Sequence, residues 1–338
     1  MKAIVIRKFG GPEVMALETV PTPEPARHEV VVQVHAVSVN RTLDIAVRSG
    51  RYTRTVALPH ILGVDPSGIV SAVGEDVSDR QVGDRVVTKY RVSGGTASEP
   101  ARLLGVDLWG GYAEYVKIPA QATHRIPAGL DFQTATVVAR HAPTAFFLLR
   151  ERAKLQSNEW VLIMGASGGL GSAGVQVARS LGARIIVAAG ADERVQAACA
   201  LGADAGVNYR TQDLTDEVKR ITQGRGVNVV FENVGDPEQF PKAVVCLARN
   251  GRLVTAGAAQ GGGVVSLDIN RLYLNNLTVL GATGEMPTDL ATALEAAAAG
   301  QYKVLIDRVL PLSQAALAHE IVTQRSGVGK VLLDPTKI

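Results

Sequence analysis

Trp160-Val-Leu-Ile-Met164 runs directly into Gly165-Ala-Ser-Gly-Gly-Leu-Gly-Ser-Ala-Gly174. An apolar run that ends in a glycine turn and opens into a helix-length segment, Leu170 to Leu181, reads as strand, turn and helix. Two glycine registers compete for a G-x-G-x-x-G pattern. The literal match is Gly169, Gly171 and Gly174, but it starts well past the strand and puts its last glycine inside the helix. In the register Ala166, Gly168 and Gly171, Gly168 lets the backbone approach a pyrophosphate and Gly171 lets helix and strand pack closely. The helix N-terminus then offers free N–H groups to phosphate. Ser167, Gly168, Gly169, Leu170 and Gly171 are the candidate dinucleotide contacts. The same residues also spell G-x-S-x-G, a nucleophile elbow, and chain order permits Ser167, Asp289 and His319 as a triad. Against it, His319 falls in an expected helix and no His-Gly-Gly stretch precedes the elbow.

Outward from this unit, strand-like and helix-like segments alternate. Arg184 to Ala188 is followed by Glu193 to Leu201, Val227 to Glu232 by Gln239 to Leu247, and then come Arg252 to Thr255 and Leu277 to Leu280. Such alternation predicts an α/β fold with a doubly wound parallel sheet. Before residue 128 the texture differs: short runs such as Lys2 to Arg7, Glu29 to Val39 and Gly68 to Val73, broken by Gly and Pro, predict a mainly β lobe. Helix-length segments follow at Asp131 to Val138 and Thr144 to Ala153. Near the C-terminus, Thr288 to Ala299 and Ser313 to Gln324 read as helices and Lys330 to Leu333 as a strand. The expected domains are 1–127 with 285–338, and 128–284.

Composition excludes several classes. The 338 residues are 46% hydrophobic and 20% charged, which argues against a mainly disordered chain. A net charge of +3, evenly spread, gives no reason to expect nucleic-acid or anionic-membrane partners. With Cys199 and Cys246 as the only cysteines there is no disulfide framework and no Cys-x-x-Cys knuckle. No signal-like apolar stretch starts the chain, and a cytoplasmic location is the expectation.

A dinucleotide fold that takes NAD places an acid at the tip of the second strand, on the ribose 2′-hydroxyl. Here that strand ends Ile186-Val-Ala-Ala-Gly190, so the tip is neutral, and Arg194 is close enough in sequence to pair with a 2′-phosphate. NADPH is the expected cofactor, with Asp192 and Glu193 as the features that argue the other way.

Taken together, several stretches make the chain resemble a medium-chain dehydrogenase/reductase over essentially its full length, most of all the zinc-independent quinone oxidoreductase and enone reductase branch. They are Val39-Asn-Arg-Thr-Leu-Asp44 with Arg48-Ser-Gly-Arg-Tyr52, Leu58 to Gly68, Val82 to Val86, Gly110-Gly-Tyr-Ala-Glu-Tyr115, the glycine loop, Leu201 to Asp204 with Val207-Asn-Tyr-Arg210, and Gly329-Lys-Val331. The resemblance implies a GroES-like substrate lobe built from both chain ends and a central Rossmann lobe. It implies that Tyr209 joins Arg194 near the 2′-phosphate, that Thr144, Ala256 and Gly257 flank the nicotinamide, and that Asn233 and Lys330 also serve the cofactor. It further implies a homodimer through the sheet edge near Leu277 to Leu280.

Zinc alcohol dehydrogenases of that superfamily hold the catalytic metal with a Cys, the His of a Gly-His-Glu motif, and a further Cys or acid. At those positions this chain has Asn40, Val64 and Arg140, none an ordinary zinc ligand, although Asp65 keeps the acid of the motif. The excursion from Arg91 to Asp107, with Gly94, Gly95, Ser98 and Pro100, has no cysteine where a structural zinc would sit. No metal is expected. Without a Lewis acid the chemistry suits an acceptor that is already electrophilic, a quinone or a conjugated C=C–C=O group. By resemblance Asn40 is the expected donor to the substrate carbonyl and Tyr52 the donor or proton source. Arg140 and His141 are candidate substrate-binding residues for a carboxylate or a CoA thioester, the plainer alternative for Arg140 being a salt link.

Overall fold

The computed structural model describes residues 1–93, 100–257, 263–285, 287–324 and 327–338. Internal contacts divide the chain into two compact units. One comprises Met1–Arg140, Ala291–Gln301 and Ile306–Ile338; the other comprises His141–Leu290 and Tyr302–Leu305. The first division therefore falls inside a helix, Phe132–Phe146, and not at the change of texture near 128. Hydrogen bonding explains the difference: the first turns of that helix belong to the β-rich unit, where Ser67 Oγ donates to the Phe132 carbonyl and Thr136 Oγ1 to Ser67 Oγ at 2.7 Å. The helix also runs unbroken through Pro143, where the sequence reading expects two separate segments.

The second unit is a six-stranded, all-parallel sheet. From edge to edge the strands are Ala205–Asn208, Arg184–Ala189, Trp160–Met164, Val227–Glu232, Leu247–Thr255 and Thr278–Gly281. This is the doubly wound order, and it reverses direction between Trp160–Met164 and Val227–Glu232, the place where such sheets take ligands. Leu162, Met164, Ile186, Val230 and Leu253 form the buried side of the sheet beneath Phe240 and Val244 of the helix Gln239–Val245.

The helix Gly169–Ser180 begins right after the glycine turn, with Gly168 as its N-cap. A methyl group on Gly171 would fall on the Gly165 carbonyl oxygen and lie 2.8 Å from the Ala166 Cα, so helix and strand touch there through bare backbone. Gly174 does the same against the Phe231 ring of the neighbouring strand. At Gly168, in contrast, an added methyl would meet only the Gly165 carbonyl oxygen, at an ordinary 3.4 Å.

In the first unit the long strand Glu29–Ser38 pairs with Ser67–Val73, Tyr115–Pro119 and Lys330–Asp334. The last pairing, Leu332 opposite Ser38, brings the end of the chain into the sheet begun near its start. Buried around it are Val34, Leu62, Tyr112, Ile118 and Leu333. Within the Arg91–Asp107 excursion, Gly94, Gly95 and Ser98 lie outside the described residues. Its described C-terminal part, Pro100 to Asp107, is tied down by Arg54, whose Nη1 donates to the Ala101 carbonyl at 2.5 Å and to Asp107 Oδ2 at 3.0 Å. Among the described residues no helix is long and apolar enough to cross a membrane.

These contacts separate two glycines that look alike in sequence. Gly171→Ala forces backbone apart and is expected to cost about 1–3 kcal/mol, as overpacking does, whereas Gly168→Ala should leave the thermal midpoint nearly unchanged. Differential scanning calorimetry of both variants checks this; equal destabilisation would contradict the packing described.

Candidate functional site

At the carboxyl ends of the parallel strands, one cluster forms where the strand order reverses. Glu232 closes the strand Val227–Glu232, and its buried carboxylate accepts hydrogen bonds from the Val234 and Gly235 N–H groups, both at 2.9 Å, and from Thr255 Oγ1 at 3.0 Å. Burial pushes its carboxyl above the ordinary range, against the pull of those donors. One carboxylate thus pins the turn at Asn233 to the end of the adjacent strand. Gly257 follows, and any side chain there would strike the Asn233 backbone. Asn233 Oδ1 comes within 3.1 Å of where Gly165 would carry a methyl, and its Nδ2 is buried with no hydrogen-bond partner among the described residues. Ala256 is exposed beside Gly257, and Thr144 is half-buried on the helix Phe132–Phe146.

A second cluster forms at the tip of Arg184–Ala189. The Tyr209 hydroxyl and the Arg210 Nε lie 3.1 and 3.2 Å from where Gly190 would carry a methyl, so a phenol and a guanidinium converge on a bare glycine. Asp192, which opens the next helix, is occupied: its Oδ1 accepts from Asn208 Nδ2 at 2.8 Å. Arg194 is half-buried in the first turn of that helix, Asp192–Cys199. Sequence reasoning selected Tyr209 and passed over Arg210, although it adjoins Tyr209 in the same Asn-Tyr-Arg stretch.

The features of a dinucleotide cradle are present in these two clusters. The helix Gly169–Ser180 has no side-chain cap, Gly168 is open on its outer side, Asn233 has an orphan donor, and Tyr209 and Arg210 converge on Gly190 at the tip of the second strand. His141, expected to bind substrate, instead packs its ring on Gly169, filling the space a side chain there would need.

In the first unit a buried polar network occupies the positions that would carry zinc ligands. Asn40, 4% exposed, uses both ends of its amide: Nδ2 donates to Asp65 Oδ2 at 3.0 Å and to Ser38, and Oδ1 accepts from Lys330 Nζ at 2.9 Å. Lys330 also donates to the Val39 carbonyl, and Ser38 donates to Asp65 from both N–H and Oγ. Asp44 accepts from the Asn40 and Gly63 N–H groups. Two expectations change accordingly. Asn40 has no spare N–H for a substrate carbonyl, because the amide is spent inside the protein, and Lys330 is bound to Asn40 and Val39. The network is also unsuited to zinc: Val64 is fully buried and apolar, Arg140 is a cation, and Asn40 already holds an ammonium. Among the described residues no group of three or more His, Cys, Asp or Glu side chains is gathered to hold a metal.

Beside this network lie Tyr52, Tyr90 and Arg140. The Arg140 guanidinium sits 4.7 Å over the Tyr90 ring centroid. Tyr52 is half-buried, and burial raises its phenol above the ordinary value, so it stays protonated. It lines a cavity of about 280 Å³ with Phe9, Arg54 and Val56.

The rival hydrolase triad does not assemble. Asp289 is held by Arg150 in a two-point ion pair at 3.0 and 3.1 Å, and His319 lies between Arg48 Nη1 and the Tyr112 hydroxyl.

Burial, helped by the charge of Asp65, raises the Asp44 carboxyl from 3.8 to about 7. Between those values the folded group keeps a proton that the unfolded one has lost. Its contribution to stability is therefore full below about pH 4 and is lost as pH rises through about 7. The unfolding free energy of the wild type minus that of Asp44→Asn should fall across this window, by at most about 1.4 kcal/mol per pH unit. Urea titrations over the range measure it, and a difference independent of pH would contradict the burial of an acid here.

Residues 26–128 match the alcohol dehydrogenase GroES-like domain, and residues 169–299 match the family described as zinc-binding dehydrogenase. Quinone oxidoreductase 1 of Escherichia coli (strain K12) is 34% identical, the alignment covering 98% of this chain and 99% of that protein. A solved NAD-dependent alcohol dehydrogenase superposes with a TM-score of 0.94 at 34% identity, over 99% of both chains. The Escherichia coli quinone oxidoreductase solved in complex with NADPH superposes with a TM-score of 0.85 at 30% identity, over 99% of this chain and 100% of that one. With sequence similarity running from end to end and the fold shared throughout, the chain belongs to the medium-chain dehydrogenase/reductase superfamily.

Proposed function

We propose that this protein is an NADPH-dependent oxidoreductase that reduces quinones or α,β-unsaturated carbonyl compounds without zinc. The observation that carries the reading is the Asn40 amide, locked between Lys330 and Asp65 where a zinc alcohol dehydrogenase needs a thiolate. A carbonyl acceptor there meets no Lewis acid, which favours substrates whose own conjugation makes them electrophilic. The quinone oxidoreductase relatives and the NADPH complex of one of them agree with this assignment.

The residues that would hold NADPH are those of the two clusters. The N–H groups at the start of the helix Gly169–Ser180 would receive the pyrophosphate, with Ser167, Gly168, Leu170 and Gly171 shaping the approach. Tyr209, Arg210 and Arg194 would take the 2′-phosphate, and Asn233, Ala256, Gly257 and Thr144 would border the nicotinamide. When bound, this cofactor supplies a hydride to the β-carbon of the acceptor. Tyr52 donates a hydrogen bond to the carbonyl oxygen and stabilises the negative charge that grows there. A proton from solvent, passed through Tyr52, completes the reduction at the α-carbon of an enone; for a quinone the proton goes to oxygen, and tautomerisation of the ring C–H to the second O–H gives the hydroquinone.

The NAD-dependent alcohol dehydrogenase among the solved relatives raises a second reading, with NADH and a simple ketone. The neutral tip at Ala189 and Gly190, with Arg210 beside it, speaks for NADPH instead.

A homodimer is part of the proposal. Among the described residues the strand Thr278–Gly281 ends the parallel sheet with one side unpaired, and Ile269, Tyr273 and Leu274 on the preceding helix are each more than 60% exposed. A second copy pairing along this edge would cover both.

Steady-state rates with NADPH and NADH against quinones, enones and simple ketones test the function. The expected result is turnover of the conjugated acceptors with NADPH. Arg210→Ala should raise KM for NADPH about tenfold while changing KM for NADH little. Turnover confined to simple ketones with NADH would refute the proposal.

A further inference from the structure

Among the described residues, no acidic side chain forms an ion pair with the Arg140 guanidinium. Its Nε is buried without a hydrogen-bond partner, and the guanidinium rests on the Tyr90 ring. Several other charged groups of this corner are engaged. Arg54 is bound to Asp107 at 3.0 Å. Asp65 accepts from Ser38 and Asn40, and Asp44 from two backbone N–H groups. Lys330 is fixed on Asn40 and Val39, and the Arg140 charge adds to the burial that lowers its ammonium to about 8. The same charge reaches Tyr52.

A guanidinium partly withdrawn from water loses hydration that one aromatic face only partly replaces. Stacking on Tyr90 leaves the in-plane N–H groups of the fork as the natural donors to a planar, two-oxygen anion. We propose that Arg140 is the anion subsite of the substrate pocket, and that the preferred acceptor is an enone bearing a carboxylate at a distance from the alkene's activating carbonyl. The carboxylate pairs with Arg140, and the ketone oxygen is left for Tyr52.

The inference rests on the reductase reading above and narrows its substrate class. The redox step balances as before: the alkene gains a hydride at its β-carbon from the reduced nicotinamide, which is oxidised, and a proton from solvent at its α-carbon. The carboxylate is unchanged and serves only to bind. A second benefit is electrostatic, because an anion at Arg140 would relieve its repulsion of Lys330.

The test uses a matched pair, 6-oxohept-4-enoate and its methyl ester, in which two methylenes insulate the carboxyl group from the conjugated alkene. The wild type should show a higher kcat/KM for the acid. In Arg140→Gln the acid-to-ester ratio should fall about 10- to 100-fold, the range for losing a charge-assisted pair, and Arg140→Lys should recover part of it. The saturated acid 6-oxoheptanoate should compete with the ester in the wild type and lose that competition in Arg140→Gln. A wild-type ratio at or below unity, or a ratio that Arg140→Gln leaves unaltered, would overturn the subsite. Ester and quinone turnover without that preference would leave the reductase reading standing. Failure of acid, ester and quinones alike would remove the reading and the inference together.

Discussion

The amide of Asn40 is the small group on which the substrate unit turns. It joins three distant parts of the chain, at residues 38 to 44, at Asp65 and at Lys330, through hydrogen bonds of about 3 Å in a site from which water is excluded. In such surroundings each unpaired donor or acceptor would cost about 1–3 kcal/mol, so every member of the network constrains the others. The strand pairing of Leu332 with Ser38 sets Lys330 close to Asn40, and Lys330 in turn supplies the cation opposite Asp65 and Asp44. Hydrogen bonds engage the polar side chains of this corner, and Asn40, Val64 and Arg140 are not ordinary zinc ligands. A side chain fully engaged in the scaffold has no donor left to polarise a substrate, and in the proposed reaction that task falls to Tyr52.

A comparable economy holds in the nucleotide unit, where contact between bare backbones sets the geometry. Gly171 lets the helix rest on the end of the first strand, Gly174 lets it rest on Phe231, and Gly257 lets one strand end pass close to the Asn233 turn. Glu232 then fixes that turn from below with a single carboxylate. The free side of Gly168 and the orphan amide of Asn233 both lie where the strand order reverses, so the topology and the polar groups point to one ligand position.

Much of this was legible in the sequence because periodicity and glycine placement report backbone constraints directly. The strand Trp160–Met164 and the helix after it, the parallel alternation and the C-terminal strand follow from local pattern, whereas the return of that strand to the first lobe was implied by the family resemblance. Three kinds of feature escaped it. Short elements were passed over: the strand Ile306–Pro311 has mixed composition, and the helix Leu214–Ile221 spans only 8 residues, although Leu214, Val218 and Ile221 repeat at helical spacing behind an Asp213 cap. Hydrogen-bond partners across long separations are invisible to local pattern, which is why Asn40 read as a substrate donor until Lys330 and Asp65 were found on both ends of its amide. His141 beside Arg140 suggested a shared role, yet its ring belongs to the glycine loop. Arg210 shows the opposite case, since its position beside Tyr209 was a signal in plain view.

The central claim is that hydrogen bonds replace metal at the heart of the substrate unit while reduction continues. Zinc content and quinone turnover measured on the same dialysed, chelator-treated sample test it most directly. The account predicts full NADPH-driven turnover with zinc far below stoichiometric; turnover that disappears with the chelator and returns in proportion to added zinc would contradict it.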